Sequence, residues 1–255
     1  VGSDYIFPRI ANHLIRDLSS LLGATVIAEH YQPLGGEDFS AIAKEIAALR
    51  PAVVFNTLNG DSNIAFFAAL RQQGVSAEEV PVLSFSITET ELHVMTGVLP
   101  TGTMTGHYAS WSYFETVASE ENQSFVKRFR KRYGAARHLN DPMVSAYLGV
   151  KLWAQAVEEA KSFDPVKVRS SFSRQSMSGP GGIIYIDDRN HHAWKPNRIG
   201  RINDKGQFEI VWESRKPIRP ESYPAYAERS NWQDLEGLFY GRWQEHWAKD
   251  SEVKP

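Results

Sequence analysis

Residues 52–74, AVVFNTLNGDSNIAFFAALRQQG, decide the fold because they read as one strand followed by one helix. Residues 52–55 form a short apolar run, which is typical of a buried strand. Polar residues follow, and Ile64, Phe67 and Leu70 then recur at helical spacing up to the closing glycine. A strand, a polar loop and an amphipathic helix in this order predict one βα unit of a parallel sheet.

The same pattern recurs on both sides of this unit. Val1 and Gly2 read as the end of a first strand, the further predicted strands are residues 25–28 and 80–85, and the further predicted helices are residues 8–22, 39–49 and 88–95. Four repeats of one unit predict an α/β fold with a mainly parallel sheet flanked by helices.

The rhythm changes after residue 100. The predicted elements there are a strand over residues 103–109, helices over 122–133, 142–160 and 164–174, a strand over 183–186, a hairpin of 199–202 with 208–212, and a final helix over 231–247. The helix at 142–160 is apolar around most of its circumference. Such a helix requires cover on more than one face.

The composition excludes several classes of protein. The chain has 255 residues, 28 Lys and Arg against 30 Asp and Glu, a net charge of −2 and no cysteine. This near-neutral balance argues against a nucleic-acid binder or a membrane-surface protein. The lack of cysteine removes disulfide scaffolds, thiolate metal sites and Cys nucleophiles.

No catalytic constellation emerges from the motifs. The sequence has no G-x-S-x-G elbow, no phosphate-binding P-loop and no G-x-G-x-x-G after a strand. His191 and His192 are the one adjacent histidine pair. Neighbouring residues of an extended segment point to opposite faces, so this pair is a poor metal site. We therefore expect no enzyme, no cofactor and no metal.

Polar loops follow three of the predicted strands. They are residues 3–5, 56–61 and 84–89, and they are rich in neutral donors and acceptors with one aromatic residue. Ligands of open α/β sheets bind outside the carboxyl ends of the strands, so these loops predict a site for a small, polar, uncharged ligand. Helix capping by Asn56, Thr57, Ser86 and Thr88 is the alternative interpretation of the same residues.

Five segments carry a resemblance to a known family. They are residues 1–9, 53–63, 190–196, 208–214 and 217–220. In these segments the chain resembles the urea and short-chain-amide substrate-binding proteins, which are type I periplasmic binding proteins of the branched-chain amino acid ABC transporter class. The group also includes the amide sensor that regulates amidase operons. The resemblance spans roughly residues 1–220.

The resemblance implies two α/β lobes that close on a ligand in the cleft between them. Residues 1–133 and 175–220 would form lobe 2, residues 134–174 would cross to a lobe 1 that is otherwise absent, and residues 221–255 would form a tail. The helix at 142–160 would then expose an apolar face. We expect self-association through that helix or through the tail helix at 231–247.

The resemblance also places the ligand contacts. The expected ligand-binding residues are Tyr5, Thr57, Asn59, Ser86 and Thr88, and a second set comprises Phe7, Asn56, Ser84 and Glu89. Phe7 stands where the amide sensor has a tyrosine, and Glu89 reads more as a surface charge in the first turn of a helix than as an amide acceptor. His191, His192 and Trp194 mark the family but are expected to shape the chain rather than to touch ligand.

The function implied is that of a non-enzymatic component that captures urea or a short-chain amide for an ABC transporter. Its partners would be the membrane permease subunits, with no nucleic acid involved, and its compartment would be periplasmic or extracytoplasmic. The alternative is a cytoplasmic or membrane-attached sensor of a small polar ligand that controls transcription or signalling. The first residues carry no basic and apolar export signal. The sequence therefore leaves the compartment open.

Overall fold

Helices and short strands alternate from β1 to α5 in the computed structural model, which describes residues 1–226 and 228–248. The strands are β1 (Gly2–Ser3), β2 (Tyr31–Gln32), β3 (Val54–Asn56), β4 (Val82–Ser84), β5 (Tyr108–Trp111), β6 (Ser176–Gly179), β7 (Gly182–Ile186), β8 (Ala193–Trp194), β9 (Arg198–Ile202) and β10 (Phe208–Glu213). The helices are α1 (Ile6–Leu21), α2 (Ser40–Leu49), α3 (Ser62–Gln72), α4 (Glu89–Val98), α5 (Glu120–Tyr133), α6 (Asp141–Ala160), α7 (Pro165–Phe172) and α8 (Arg229–Arg242). This confirms the predicted α/β class, with a mixed rather than a wholly parallel sheet.

The chain divides into two compact units. Unit 1 comprises Val1–Ser86, Val94–Tyr108 and the described part of Tyr223–Pro255, and unit 2 comprises Ile87–His93 and Ala109–Ser222. No helix among the described residues is both long enough and apolar enough to cross a membrane.

Unit 1 is built on parallel strands. Gly2 of β1 pairs with Tyr31 of β2 on one side and forms a parallel bridge with Thr57, just after β3, on the other. Strand β3 pairs in parallel with β4. The order is therefore β2-β1-β3-β4, and the direction of the chain connections reverses between β1 and β3. Such a reversal is the usual position of a ligand in open α/β sheets.

Unit 2 combines two small sheets with helices. The strands β9 and β10 form the predicted antiparallel hairpin, and β9 lies beside β5. A second antiparallel sheet has the order β6-β7-β8. One hydrophobic cluster of unit 2 is formed by the buried residues Tyr113, Leu139, Val144, Leu148, Leu152, Ile184 and Ile186.

Helix α6 buries one face and exposes another. Val144, Leu148, Leu152 and Ala156 are buried at helical spacing. Strand β6 approaches so closely that a side chain on Gly179 would lie 2.7 Å from a Leu148 methyl carbon. On the opposite side the apolar residues Met143, Tyr147, Val150 and Trp153 are exposed. Unit 2 thus buries only one side of this helix, which was predicted to be apolar around most of its circumference.

Two predicted strands differ from the structure. Residues 25–28 were expected to form a strand but have no regular structure, and β2 begins only at Tyr31. Within residues 1–226 and 228–248 no strand pairs with them. The strand expected at residues 103–109 begins at Tyr108 as β5, because turns occupy residues 101–106.

The tail helix is shorter than predicted and packs within unit 1. Helix α8 ends at Arg242, and Gln244 and Glu245 just beyond it adopt positive φ angles. Trp232 is buried and its ring meets His13 of α1 edge to face at 5.2 Å. Lys249–Pro255 and Ala227 lie outside the described residues.

Candidate functional site

The carboxyl ends of β1, β3 and β4 meet at one edge of unit 1. The backbone N–H of Asn59 donates to Oγ of Ser3 at 3.0 Å, which ties the loop after β3 to β1. The Ser86 hydroxyl donates to the carbonyl oxygen of Leu58 and so ties the loop after β4 to the same place. The predicted residues Asn59 and Ser86 are therefore brought together, and Tyr5 follows Ser3 by two residues.

Asn56 and Ser84 form a buried support beneath this edge. The Asn56 amide donates to Oδ1 of Asn63 at 2.8 Å and to Oγ of Ser84 at 3.0 Å, and its own Oδ1 accepts from the backbone N–H of Leu58 at 2.9 Å. All these groups are buried and paired within the fold. Such a network fixes the loop after β3 rather than offering groups to a ligand.

Thr57 is also engaged within the fold. Its hydroxyl has Oδ1 of Asn12 at 3.0 Å and the Val1 carbonyl oxygen at 3.2 Å as acceptors, and the residue is fully buried. A side chain on Gly2 would lie 2.5 Å from this hydroxyl oxygen, so β1 needs glycine there. Contact of Thr57 with a ligand stays a prediction. The hydroxyl proton of Thr57 already has an acceptor within the fold.

Tyr5 and Asn59 keep unused polar groups at the edge. No described residue forms a hydrogen bond with the phenol of Tyr5 or with Oδ1 of Asn59, whose amide nitrogen donates to the Thr57 carbonyl oxygen at 3.2 Å. Burial raises the pKa of the Tyr5 phenol, which keeps it protonated. Both residues are partly buried, and the exposed Phe7 ring lies 6.2 Å from that of Tyr5. The edge therefore presents one free donor and one free acceptor beside aromatic carbon.

Asp4 and Arg9, which follow β1, are paired with each other. Oδ1 of Asp4 accepts from Nε and Nη2 of Arg9 at 2.8 Å and 2.6 Å. The Arg9 guanidinium in turn lies over the Tyr31 ring at 3.5 Å. A charged ligand would therefore have to compete with this existing pair for either Asp4 or Arg9.

The tail reaches the same edge. The backbone N–H of Ile6 donates to the Trp247 carbonyl oxygen at 2.9 Å, and Tyr5 and Ala248 form an antiparallel bridge. Because no side chain caps the first turn of α1, the Trp247 carbonyl supplies this cap instead. Nothing in the sequence pattern pointed to this contact.

Thr88 belongs to unit 2, where it precedes α4. The Glu91 carboxylate accepts from the backbone N–H of Thr88 at 2.9 Å, which is one half of a capping box, and it also accepts from the Thr88 hydroxyl. Asn140 donates to Oγ1 of Thr88 at 3.1 Å and to Oγ1 of Thr90 at 2.8 Å. The Thr88 side chain thus takes part in the hydrogen bonds at the start of α4, and its contact with a ligand stays a prediction. The T-x-x-E spacing of residues 88–91 is the signal for the Glu91 contact.

Glu89 is a correction to the sequence analysis, which favoured a surface charge. Its side chain is buried, with the residue 8% exposed, and Oε1 accepts from the backbone N–H of Glu115 at 2.7 Å. Its Oε2 is buried without a partner among the described residues. Burial above all raises the pKa of Glu89 to about 8, and the Glu115 and Asp141 carboxylates add to the shift. Glu89 is therefore mainly a neutral acid near pH 7.

The histidine pair has a structural setting. His191 adopts a positive φ of 59° in a turn where Asp187 accepts from the Trp194 indole at 2.8 Å and from Arg219 at 3.3 Å. No group of three or more His, Asp or Glu residues within residues 1–226 and 228–248 is placed to hold a metal.

A protein-family comparison matches most of the chain. The family model described as "Periplasmic binding protein domain" covers residues 1–229.

Solved structures share this architecture at low sequence identity. An amino acid ABC transporter substrate-binding protein from Pseudomonas fluorescens Pf-5 superposes with a TM-score of 0.75 at 19% identity, over 86% of this chain and 59% of that one. A solute-binding protein from Rhodopseudomonas palustris HaA2 in complex with p-hydroxybenzoic acid gives 0.74 at 22% identity, over 85% and 59%. The leucine-binding protein LivK from Thermotoga maritima gives 0.65 at 22% identity, over 80% and 55%. The chain thus spans somewhat over half the length of these proteins, and the likeness concerns the fold.

A curated relative matches part of the chain. A protein named limonene hydroxylase from Geobacillus stearothermophilus is 36% identical over 113 residues, which make up 44% of this chain and 21% of that protein. An overlap of one fifth of that protein's length carries no activity over to this chain.

Proposed function

The chain belongs to the periplasmic binding protein domain family, and from this premise we propose that it is part of a solute-binding protein that captures a small neutral amide or urea for an ABC transporter. The family is one of binding domains, which agrees with the expectation of a non-enzymatic protein. The ligand, the partners and the compartment are the parts of the proposal that go beyond the family.

The neutral edge of unit 1 carries the ligand proposal. An amide or urea presents both a carbonyl oxygen and N–H donors without a net charge. The Tyr5 phenol supplies a donor, Oδ1 of Asn59 supplies an acceptor, and the neighbouring Asp4 and Arg9 are paired with each other. A small polar ligand without charge is bound best by such directed neutral hydrogen bonds beside an aromatic wall.

The roles of the remaining predicted residues follow from their hydrogen bonds. We assign Asn56, Ser84 and Thr57 to the support of the edge, because their polar groups are paired with one another and with neighbouring residues. Ser86 holds the loop after β3 through Leu58. Tyr5, Asn59 and Phe7 remain as the residues proposed to touch the ligand.

The lobes, the partners and the location of the whole protein are proposed from the resemblance. We propose that residues 1–133 and 175–220 form the second lobe of a two-lobe receptor, that residues 134–174 extend to the first lobe, and that membrane permease subunits recognise the closed form. A periplasmic or extracytoplasmic location goes with this role.

Substitution of Tyr5 tests the site. In the complete gene product, Tyr5→Ala is expected to weaken amide binding in calorimetric titration by about 1–3 kcal/mol, as for an aromatic anchor that also makes a hydrogen bond. Tyr113→Phe is the matched control, because the Tyr113 phenol is buried in unit 2 and donates to Asn122. Equal affinity of Tyr5→Ala and the unaltered protein would remove Tyr5 from the site.

A further inference from the structure

Residues 229–248 pack within unit 1 and reach the start of α1. They comprise α8 and the segment that follows it, and together they are named the tail strap. The family domain matches residues 1–229, so the tail strap begins where that match ends. The position of the strap is therefore a feature of this chain that the match to the family does not describe.

Three buried aromatic side chains fix the tail strap in unit 1. They are Trp232, Phe239 and Trp243. The Trp232 ring meets the His13 ring of α1 edge to face, and the rings of Phe239 and Trp243 stack with 5.5 Å between their centres. Buried aromatic rings contribute a large apolar area at each position. The strap is thus a packed part of unit 1.

A defined turn leads from α8 to the neutral edge. Gln244 and Glu245 adopt positive φ angles of 55° and 67°. The Glu245 N–H donates to the Tyr240 carbonyl oxygen at 2.9 Å, which is the long bond of a Schellman motif. The Trp247 ring then lies 4.5 Å from the Tyr240 ring, measured between centres. This turn brings the Trp247 carbonyl oxygen to the Ile6 N–H.

The strap meets the chain directly beside Tyr5. The Ile6 N–H donates to the Trp247 carbonyl oxygen at 2.9 Å, and Tyr5 forms an antiparallel bridge with Ala248. The Tyr5 backbone is extended, with φ −148° and ψ 178°, and its own N–H donates to the Ser3 carbonyl oxygen at 2.9 Å. Because no described residue bonds the Tyr5 phenol, the direction of this side chain depends on the backbone bonds on either side of it.

The strap also supports the neutral character of the edge. Free N–H groups at the start of a helix attract anions. In α1 the Ile6 N–H is engaged by the strap, and Pro8 has no N–H. The Arg9 guanidinium carbon lies 3.5 Å from the centre of the Tyr31 ring and 6.0 Å from that of Phe239 in the strap. The strap thus contacts both the helix start and the paired arginine.

We propose that the tail strap is a positioning element for the ligand site, which fixes Tyr5 through the bond between Ile6 and Trp247. A side chain that is ordered before binding spares the ligand the entropic cost of ordering it. The strap therefore raises affinity without touching the ligand. The effect on affinity rests on the proposed function, whereas the contact with α1 does not.

Ile6→Pro tests the positioning bond in the complete gene product. Proline removes the N–H, suits the first position of a helix, and accepts the extended backbone of Tyr5 before it. Ile6→Ala is the matched control, because it shortens the side chain and keeps the N–H. In calorimetric titration with acetamide and urea, Ile6→Pro is expected to bind about tenfold more weakly than Ile6→Ala. Equal affinities would overturn the proposal, and tighter binding by Ile6→Pro would show instead that the strap obstructs the site.

Hydrogen exchange without ligand tests the contact separately. Trp243→Ala removes a buried ring of the strap and is expected to speed exchange of the Ile6 amide at least about tenfold more than that of the Val54 amide, which donates to Pro81 inside the sheet. Trp212→Ala, at an exposed position of β10, is the control and is expected to change neither rate. An Ile6 rate that changes no more than the Val54 rate would refute the strap. If acetamide and urea fail to bind the unaltered protein, the proposed ligand falls, and exchange still decides whether the strap fixes the start of α1.

Discussion

At the scale of single residues, hydrogen-bond partners separate the side chains that support the edge of unit 1 from those free to bind. Asn56 and Asn59 stand three positions apart in one loop and look alike in the sequence. The Asn56 amide is buried and paired on both of its ends, whereas Oδ1 of Asn59 is free among the described residues. The pattern of polar residues locates the loop, but it cannot show which amide turns inward, because that depends on Asn63 and Ser84 from other elements.

This difference predicts opposite outcomes for two matched substitutions. Asn56→Ala is expected to lower the free energy of unfolding by about 1–3 kcal/mol, because it leaves buried partners unsatisfied. Asn59→Ala is expected to change that free energy by less than about 0.5 kcal/mol and to weaken amide binding. Urea denaturation and calorimetric titration of both variants measure the two effects. A stable Asn56→Ala protein with reduced affinity would reverse the assignment.

The buried Glu89 predicts a pH dependence of stability. Between its ordinary pKa near 4.5 and about 8, the unfolded chain releases this proton while the folded chain retains it. The free energy of unfolding contributed by Glu89 therefore falls as pH rises from 4.5 through 8. Glu89→Gln keeps an acceptor for the Glu115 N–H and is expected to remove this slope in denaturation measured at pH 5, 6.5 and 8.

The control for this pH profile is Glu120→Gln, at the exposed first turn of α5. It is expected to leave the profile unchanged. A difference between the Glu89→Gln and unaltered proteins that stays constant from pH 5 to 8 would contradict the assignment of a neutral buried acid.

At the scale of elements, helices were predicted better than strands. Helical spacing of apolar residues is a local signal, and α2, α3 and α6 begin and end within a few residues of the predicted bounds. Strands depend on partners. β6 (SMSG) has little apolar character and forms because β7 pairs with it, while residues 25–28 have strand character and no partner in the part of the chain that the structure describes. The helix predicted to end at residue 247 ends at Arg242 as α8, because the aromatic stripe in the sequence continues past the end of the helix.

The packing of α8 on α1 predicts a large effect of one tryptophan. Trp232 is 4% exposed and contacts His13, so Trp232→Ala is expected to cost about 3–5 kcal/mol of the free energy of unfolding. Trp247 is 52% exposed, and its contact with Ile6 is made by its backbone. Trp247→Ala is therefore expected to cost less than about 1 kcal/mol. Chemical denaturation compares them, and similar costs would show that α8 does not pack as described.

At the scale of the whole molecule, the exposed face of α6 bears on self-association. Val150 on this face is 67% exposed, and Trp153 lies beside it on the same side. A contiguous apolar face of this kind commonly marks an interaction surface. The family resemblance implies that this helix contacts the first lobe. The sequence predicts that in the 255-residue chain this face contacts a second copy of the chain instead.

A lysine on α6 tests whether two copies of the chain associate through the exposed face of this helix. Val150→Lys is expected to weaken concentration-dependent self-association of the 255-residue chain at least tenfold in analytical ultracentrifugation, because a charge would be buried in the contact. Leu238→Lys places the same charge on the exposed face of α8, and Val211→Lys places it on β10 as a control. Loss of association only with Leu238→Lys would move the contact to the tail, and an unaltered chain that stays monomeric would refute self-association.

The measurement closest to the central claim compares a neutral ligand with a charged ligand of the same shape. Acetamide, urea and acetate are titrated calorimetrically into the complete gene product at pH 7. The paired charges and the free neutral groups at the edge of unit 1 predict that acetamide or urea binds and that acetate gives no heat of binding. Binding of acetate in preference to both neutral compounds would contradict the claim, and so would the absence of any heat with acetamide and urea.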